Sequence, residues 1–247
     1  MKPHLIPLAE QMRPSSLEDV VGQNHLLGPG GIIPSIIKGG KPLSIILWGP
    51  PGCGKTTIAR LYAKAFNMRF ESMSAIFSGV ADLKRVVKEC EERPLLGAAT
   101  LLFVDEIHRF NKAQQDAFLP YIENGKIVLV GATAENPSFY LNNALLSRLR
   151  VLKLNSLDET SLEQLLVRYE TQRGALNLTQ EARQHIVHLA QGDGRYLLNL
   201  IENLGSLSNE PLDIEPLKHL LQKRAALFDK ADEQHYNLIS ALHKSVR

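Results

Sequence analysis

Apolar runs alternate with stretches of helical spacing over the first 155 residues. The apolar stretch at 43–48 stops at Gly49-Pro50-Pro51-Gly52, the pattern of a buried strand feeding a glycine-rich loop. Residues 57–66 follow with apolar side chains at 58, 59, 61, 62, 65 and 66, which suits a helix packed on a sheet. The same reading predicts helices over 82–92 and 112–124 and buried strands over 100–104, 127–132 and 151–154. Strands that are apolar throughout, separated by helices, predict an α/β fold with a doubly wound parallel sheet covered on both faces. After Asn155 the pattern turns helical over 159–173, 179–191 and 195–207, broken at Gly174, Gly192 and Gly194. Another helix is expected to start near Glu215, and 234–244 also has helical spacing. The division expected is an N-terminal extension at 1–19, a P-loop domain at 20–155, and an all-helical lid from 156 to 247 with the start of a further helical region.

The glycine loop changes the picture from architecture to chemistry. Gly49-Pro50-Pro51-Gly52-Cys53-Gly54-Lys55-Thr56 matches G-x-x-x-x-G-K-[ST] in full, between a predicted strand and a predicted helix. Glycines let backbone N–H groups turn inward around phosphates, and the helix N-terminus adds its positive dipole end. Lys55 is the expected partner of the β- and γ-phosphates, Thr56 of magnesium, and Thr57 continues the cradle. Fifty residues on, the run Leu101-Leu102-Phe103-Val104 ends in Asp105-Glu106. Two carboxylates at the carboxyl end of a buried strand lie where ligands bind in open α/β sheets. Asp105 is expected to hold magnesium through water and Glu106 to polarise the attacking water. The implied ligands are ATP and Mg2+.

Charge and cysteines change less. The net charge is +2, but residues 1–155 carry 18 Lys and Arg against 13 Asp and Glu, while 156–247 carry 10 against 13. An anionic partner is therefore expected to meet the first part. Two cysteines, Cys53 and Cys90, are too few for a disulfide framework. Cys90 falls in step with Leu83, Val86 and Val87 and reads as a buried thiol. Cys53, in the loop beside Lys55, reads as a small turn residue, with an activated thiolate as the alternative. There is no run of about 20 apolar residues and no apolar leader at Met1–Pro7, so a cytoplasmic protein with no membrane span is expected.

The paired phosphate-loop and Asp-Glu motifs, a later strand ending in Thr133, Ser147-Arg148 after a helix, and a helical lid together resemble the AAA+ ATPases of the clamp-loader branch. Further matches are Arg13-Pro14, Val21-Gly22-Gln23 and Gly192-Asp193-Gly194-Arg195, and the narrower ones are the run Arg109-Phe110-Asn111-Lys112-Ala113-Gln114-Gln115-Asp116 and Glu135-Asn136-Pro137. These resemble the replication-associated recombination protein A family, bacterial relatives of the Werner-helicase-interacting protein. The resemblance implies that Thr133 reads the γ-phosphate, with Asn136 as the alternative. It implies that Arg148 is an arginine finger acting in a neighbouring subunit, with Arg150 as competitor. It makes Arg195 a second sensor contacting ATP in its own chain, and a cation at a helix N-terminus does call for an anion. Val21, Gly22 and Gln23 resemble the segment that cups adenine. His108 is expected beside the catalytic groups rather than among them.

By the same resemblance, the partners are single-stranded or fork-like DNA, replication and repair proteins, and further copies of the chain. Family members continue into a C-terminal helical domain that assembles tetramers, so the chain as given is expected to be largely monomeric. The alternatives are a clamp-loader subunit, a branch-migration motor of the Holliday-junction type, a protein-remodelling ATPase using Phe77-Ser78-Gly79-Val80 as a pore loop, or a non-hydrolysing nucleotide switch.

Overall fold

The computed structural model describes residues 6–76, 79–92, 99–204 and 211–219. Phe77, Ser78, the side chain of Cys90 and the segment 234–244 lie outside the described residues. Three short helices, α1 (Leu8–Gln11), α2 (Asn24–Leu27) and α3 (Ile32–Lys38), precede β1 (Ile45–Trp48). Then come α4 (Lys55–Ala65), β2 (Arg69–Ser74), α5 (Val80–Glu92) and β3 (Thr100–Asp105). A 3-10 turn at Ile107–Arg109, α6 (Lys112–Asp116) and α7 (Leu119–Glu123) lead to β4 (Ile127–Thr133). After α8 (Pro137–Tyr140) and α9 (Asn143–Leu146), β5 (Arg150–Lys153) completes the sheet.

All five strands are parallel, in the order β2-β3-β4-β1-β5. Successive side chains of a strand point to opposite faces, and both faces are buried. On one face Ile45, Leu47, Leu101, Phe103 and Val130 pack with Ile33, Ile58 and Tyr62 of α3 and α4. On the other, Ile46, Leu102, Val104 and Leu129 pack with Leu83, Phe118 and Leu145. This is the doubly wound sheet that the apolar runs predict.

Among the elements that differ from the sequence expectation are β2 and the helix at 112–124. β2, Arg-Phe-Glu-Ser-Met-Ser, has no apolar run because it lies at the sheet edge with one neighbour, and of its residues only Met73 is buried. The helix expected over 112–124 is two helices. Pro120 has no N–H to give, and its ring crowds the carbonyl four residues back, so the chain turns at Ala117 and Phe118 before α7 begins.

Beyond β5 lie α10 (Glu159–Arg173), α11 (Gln180–Ala190), α12 (Gly194–Leu204) and a helical turn at 214–219. Asp158 and Thr179 cap α10 and α11 by accepting from Ser161 N and Ala182 N, as expected of short polar residues at helix starts. Asp193 does the same before α12, accepting from Tyr196 N at 2.8 Å. Leu162, Leu166, Ile186, Leu197 and Ile201 form the core of this layer, joined by Leu8 and Met12 from the start of the chain. The N-terminal segment is therefore held by the helical layer. Leu8 N donates to Glu202 Oε1 at 3.0 Å, across 194 residues of sequence.

Candidate nucleotide site

The loop after β1 takes its shape from two left-handed glycines, Gly52 at φ +66° and Gly54 at φ +101°, and Gly54 is the N-cap of α4. At Gly52 space is as strict as conformation, since a Cβ there would lie 1.8 Å from Asp193 Oδ1. The loop is pinned at both ends. Gly49 N donates to Thr133 O at 3.1 Å, and buried Gln23 donates from Nε2 to Cys53 O at 3.3 Å and Asn155 O at 2.8 Å. Asn155 N returns a bond to Gln23 Oε1. Gln23 thus ties the loop to the start of the helical layer and does not line the cavity, unlike Val21. Lys55 Nζ donates to the carbonyls of Gly49 and Pro50 at 2.7 and 2.8 Å, which holds the ammonium over the loop.

Cys53 is buried, and that burial pushes its thiol up despite the nearby Lys55. Desolvation of the thiolate outweighs the attraction of the lysine, so the activated-thiolate alternative fails and the small-turn-residue reading stands.

Strand β3 delivers Asp105 and Glu106 to the same place. Glu106 has φ +54° and ψ +41°, a left-handed conformation rare for a side chain of its kind, and it opens the 3-10 turn. Its N–H donates to Asp105 Oδ1 at 3.2 Å.

A cavity of about 480 Å³ gathers these parts: residues 51–57 of the loop and α4, Asp105 and Glu106, Val21, and Gly194, Arg195 and Leu198 of α12. Pro7, Ala9, Glu10, Met12, Arg13 and Pro14 close one side, and Glu10 and Arg13 there are cavity-lining charges that sequence spacing does not show. Arg13 Nη1 donates to Thr57 Oγ1 at 2.9 Å, and its guanidinium pairs with Glu10. The Arg13 guanidinium beside Glu10 holds its carboxyl below the usual range against some desolvation, with Arg60 and Arg195 adding to the effect. The only hint in the sequence was the Arg13-Pro14 pair, because the contact spans 44 residues. Gly49 and Pro50 belong to the loop but not to the cavity wall.

Thr133 and Arg148 are not on that wall either. Thr133, fully buried at the end of β4, pairs in register with Trp48 and contacts His108 Nδ1 through Oγ1 at 2.9 Å. Asn136 is occupied as the N-cap of α8, accepting from Ser138 N at 3.1 Å. Arg148, after α9, is exposed and bound to Glu123 through Nε at 2.6 Å and to Ala144 O through Nη1 at 2.7 Å. Arg150 is exposed on edge strand β5. The run 109–116 is organised around Gln115, which is buried and donates to Phe110 O and Tyr140 O while accepting from Asn142 N. Among the described residues there is no group of three or more His, Cys, Asp or Glu placed to hold a metal ion. Nor is any described helix long and apolar enough to cross a membrane.

Residues 45–156 match the ATPase family associated with various cellular activities (AAA), and residues 171–247 match the AAA C-terminal domain. Replication-associated recombination protein A of Coxiella burnetii is 49% identical over 98% of this chain and 57% of its own length. ATPase WRNIP1 of Dictyostelium discoideum is 40% identical over the whole chain and 31% of its own length. The chain spans about half the length of the bacterial relatives it matches. The Thermotoga maritima RuvB Holliday junction branch migration motor superposes with a TM-score of 0.70 at 23% identity, covering 85% of this chain and 72% of that one, which shows a shared fold. The motifs, the sheet with its helical layer and these similarities agree: the chain belongs to the AAA family of ATPases, among the homologues of replication-associated recombination protein A and WRNIP1.

Proposed function

We propose that this chain binds Mg-ATP in the cavity between sheet and helical layer and hydrolyses it, and that hydrolysis serves work on DNA in replication and recombination. The observation that carries the reading is the meeting of Lys55, Thr56, Asp105, Glu106 and Arg195 on one cavity wall. The inward-turned loop and the start of α4 suit a polyphosphate. Magnesium keeps most of its water and takes one or two protein oxygens. Thr56 and Asp105 are such hard donors, and a metal held partly by phosphates needs no larger acidic cluster. The ion would neutralise charge on the phosphates. Lys55 binds the outer phosphates, Arg195 reaches in from the helical layer, and Glu106 orients water and accepts its proton. Thr133, buried behind that wall, is assigned to sense the terminal phosphate through its contact with His108, and Arg148 to serve a neighbouring copy. The DNA part rests on the names of the relatives and on the +5 balance of residues 1–155.

Phosphate release by wild type and Glu106→Gln, with and without gapped DNA at two salt concentrations, tests the reading. Glu106→Gln is expected to bind ATP normally and turn over roughly a hundredfold more slowly. DNA is expected to change the wild-type rate at low salt and lose its effect at high salt, because phosphate contacts release counterions. Equal turnover in the two proteins overturns the base assignment. Rates indifferent to DNA at both salts overturn the DNA assignment.

A further inference from the structure

We propose that His108 is a positioning residue that couples Thr133 to Glu106, so that a change at the end of β4 resets the carboxylate at the end of β3. The proposal rests on the assignment of Glu106 as the general base.

His108 lies in the 3-10 turn, with its side chain 12% exposed. Its Nδ1 is 2.9 Å from Thr133 Oγ1, and its Nε2 is 3.4 Å from Glu106 Oε2. With the ring proton on Nε2, the N–H side of the imidazole is turned toward the carboxylate and Nδ1 accepts from the Thr133 hydroxyl. One imidazole thus lies between the two groups, hydrogen-bonded to Thr133 and within ion-pair distance of Glu106. The Thr133 hydroxyl has a single proton, and the Glu135 carbonyl at 3.3 Å already competes for it. Any acceptor that draws this proton away from Nδ1 releases one end of the ring and alters its hold on Glu106.

The ring is held on its remaining side. Tyr140 meets it edge-on, with centroids 5.6 Å apart and planes at 65°. The Tyr140 carbonyl is fixed by Gln115 Nε2 at 2.9 Å, and Gln115 is itself buried. Glu106 sits in a left-handed conformation, which persists where surrounding contacts over-determine it. His108 supplies such a contact to the side chain, while Asp105 supplies one to the backbone. These bonds give Gln115 a physical reason to be glutamine: it shapes the wall against which His108 is set.

The test compares His108→Ala and His108→Asn in the wild-type and Glu106→Gln backgrounds, by steady-state and single-turnover phosphate release. Asn can replace the Nδ1 contact to Thr133 but cannot reach Glu106. Both variants are expected to lower kcat by roughly a hundredfold, the scale of a 1 Å misplacement, with KM for ATP and thermal midpoint nearly unchanged. In the Glu106→Gln background neither should lower the rate further, because residues acting through one group are not additive. A further loss of the same factor there overturns the coupling, as does wild-type kcat in His108→Asn. If Glu106→Gln itself turns over at the wild-type rate, the base assignment fails, which is visible before His108 is touched. A readout free of turnover is the imidazole 15N spectrum without nucleotide. A protonated Nε2 and an Nδ1 resonance that moves in Thr133→Val support the geometry, and an Nδ1 that ignores Thr133 contradicts it.

Discussion

Lys55→Ala is expected to take ATP binding below calorimetric detection while leaving the fold intact. The Lys55 ammonium is held over the phosphate loop by the carbonyls of Gly49 and Pro50. Its removal leaves the phosphates to backbone N–H groups and the α4 dipole. Truncating one member of a partly desolvated charge pair costs about 2–5 kcal/mol, and about 3 kcal/mol is already more than a hundredfold in affinity. The loop itself does not depend on this side chain. Its shape comes from the left-handed glycines, the Gln23 bonds and the Gly49–Thr133 bond, so the thermal midpoint should move little. Calorimetric titration with ATP checks the effect, and unchanged affinity contradicts the phosphate-loop assignment.

Arg148→Ala is expected to remove most of the rise in specific activity with protein concentration, while ATP affinity stays near that of wild type. Arg148 is exposed and does not line the cavity of its own chain, so its charge is available to a second copy. Arginine fingers are worth about a thousandfold or more in phosphoryl transfer, and one supplied by a neighbour contributes only when chains touch. The pair with Glu123 offers little resistance to such a move, since exposed ion pairs contribute about 0–1 kcal/mol. For the same reason the substitution should leave stability almost unchanged. ATPase rates across a protein dilution series, with light scattering on the same samples, measure both halves. A concentration-independent rate that still requires Arg148 would place the finger within its own chain.

The central strands were legible because burial on both faces demands apolar residues at every position, as in Leu101–Val104 and Ile127–Val130. The phosphate loop was legible because left-handed turns and close backbone approach admit few residues other than glycine. β2 was not, because an edge strand needs no such run, and Arg69–Ser74 carries only Phe70 and Met73 among polar residues, with no period of two. The break between α6 and α7 was marked by Pro120, but the apolar spacing around it concealed the turn. The cavity was legible where one segment carries the chemistry, as at 49–56 and 105–106. It was not where the contact depends on tertiary approach. Arg13 meets Thr57, Gln23 meets Asn155 and Leu8 meets the helical layer across tens to hundreds of residues, and no local pattern encodes those meetings. Gln23 also departs from its family expectation: a fully satisfied buried amide serves to join the loop to the helical layer rather than to cup a base. His108 was visible as a residue beside the carboxylates, but its bridging position depends on the register of β4 against its neighbours, which sequence spacing does not give.

Mg-ATP hydrolysis in the cavity is checked by titrating the wild-type chain with ATP and magnesium and following phosphate release in the same sample. One ATP bound per chain and saturable turnover that stops when magnesium is withheld are the expected results. Binding at other stoichiometry, or saturated binding with no phosphate released at any protein concentration, would contradict Mg-ATP hydrolysis in this cavity.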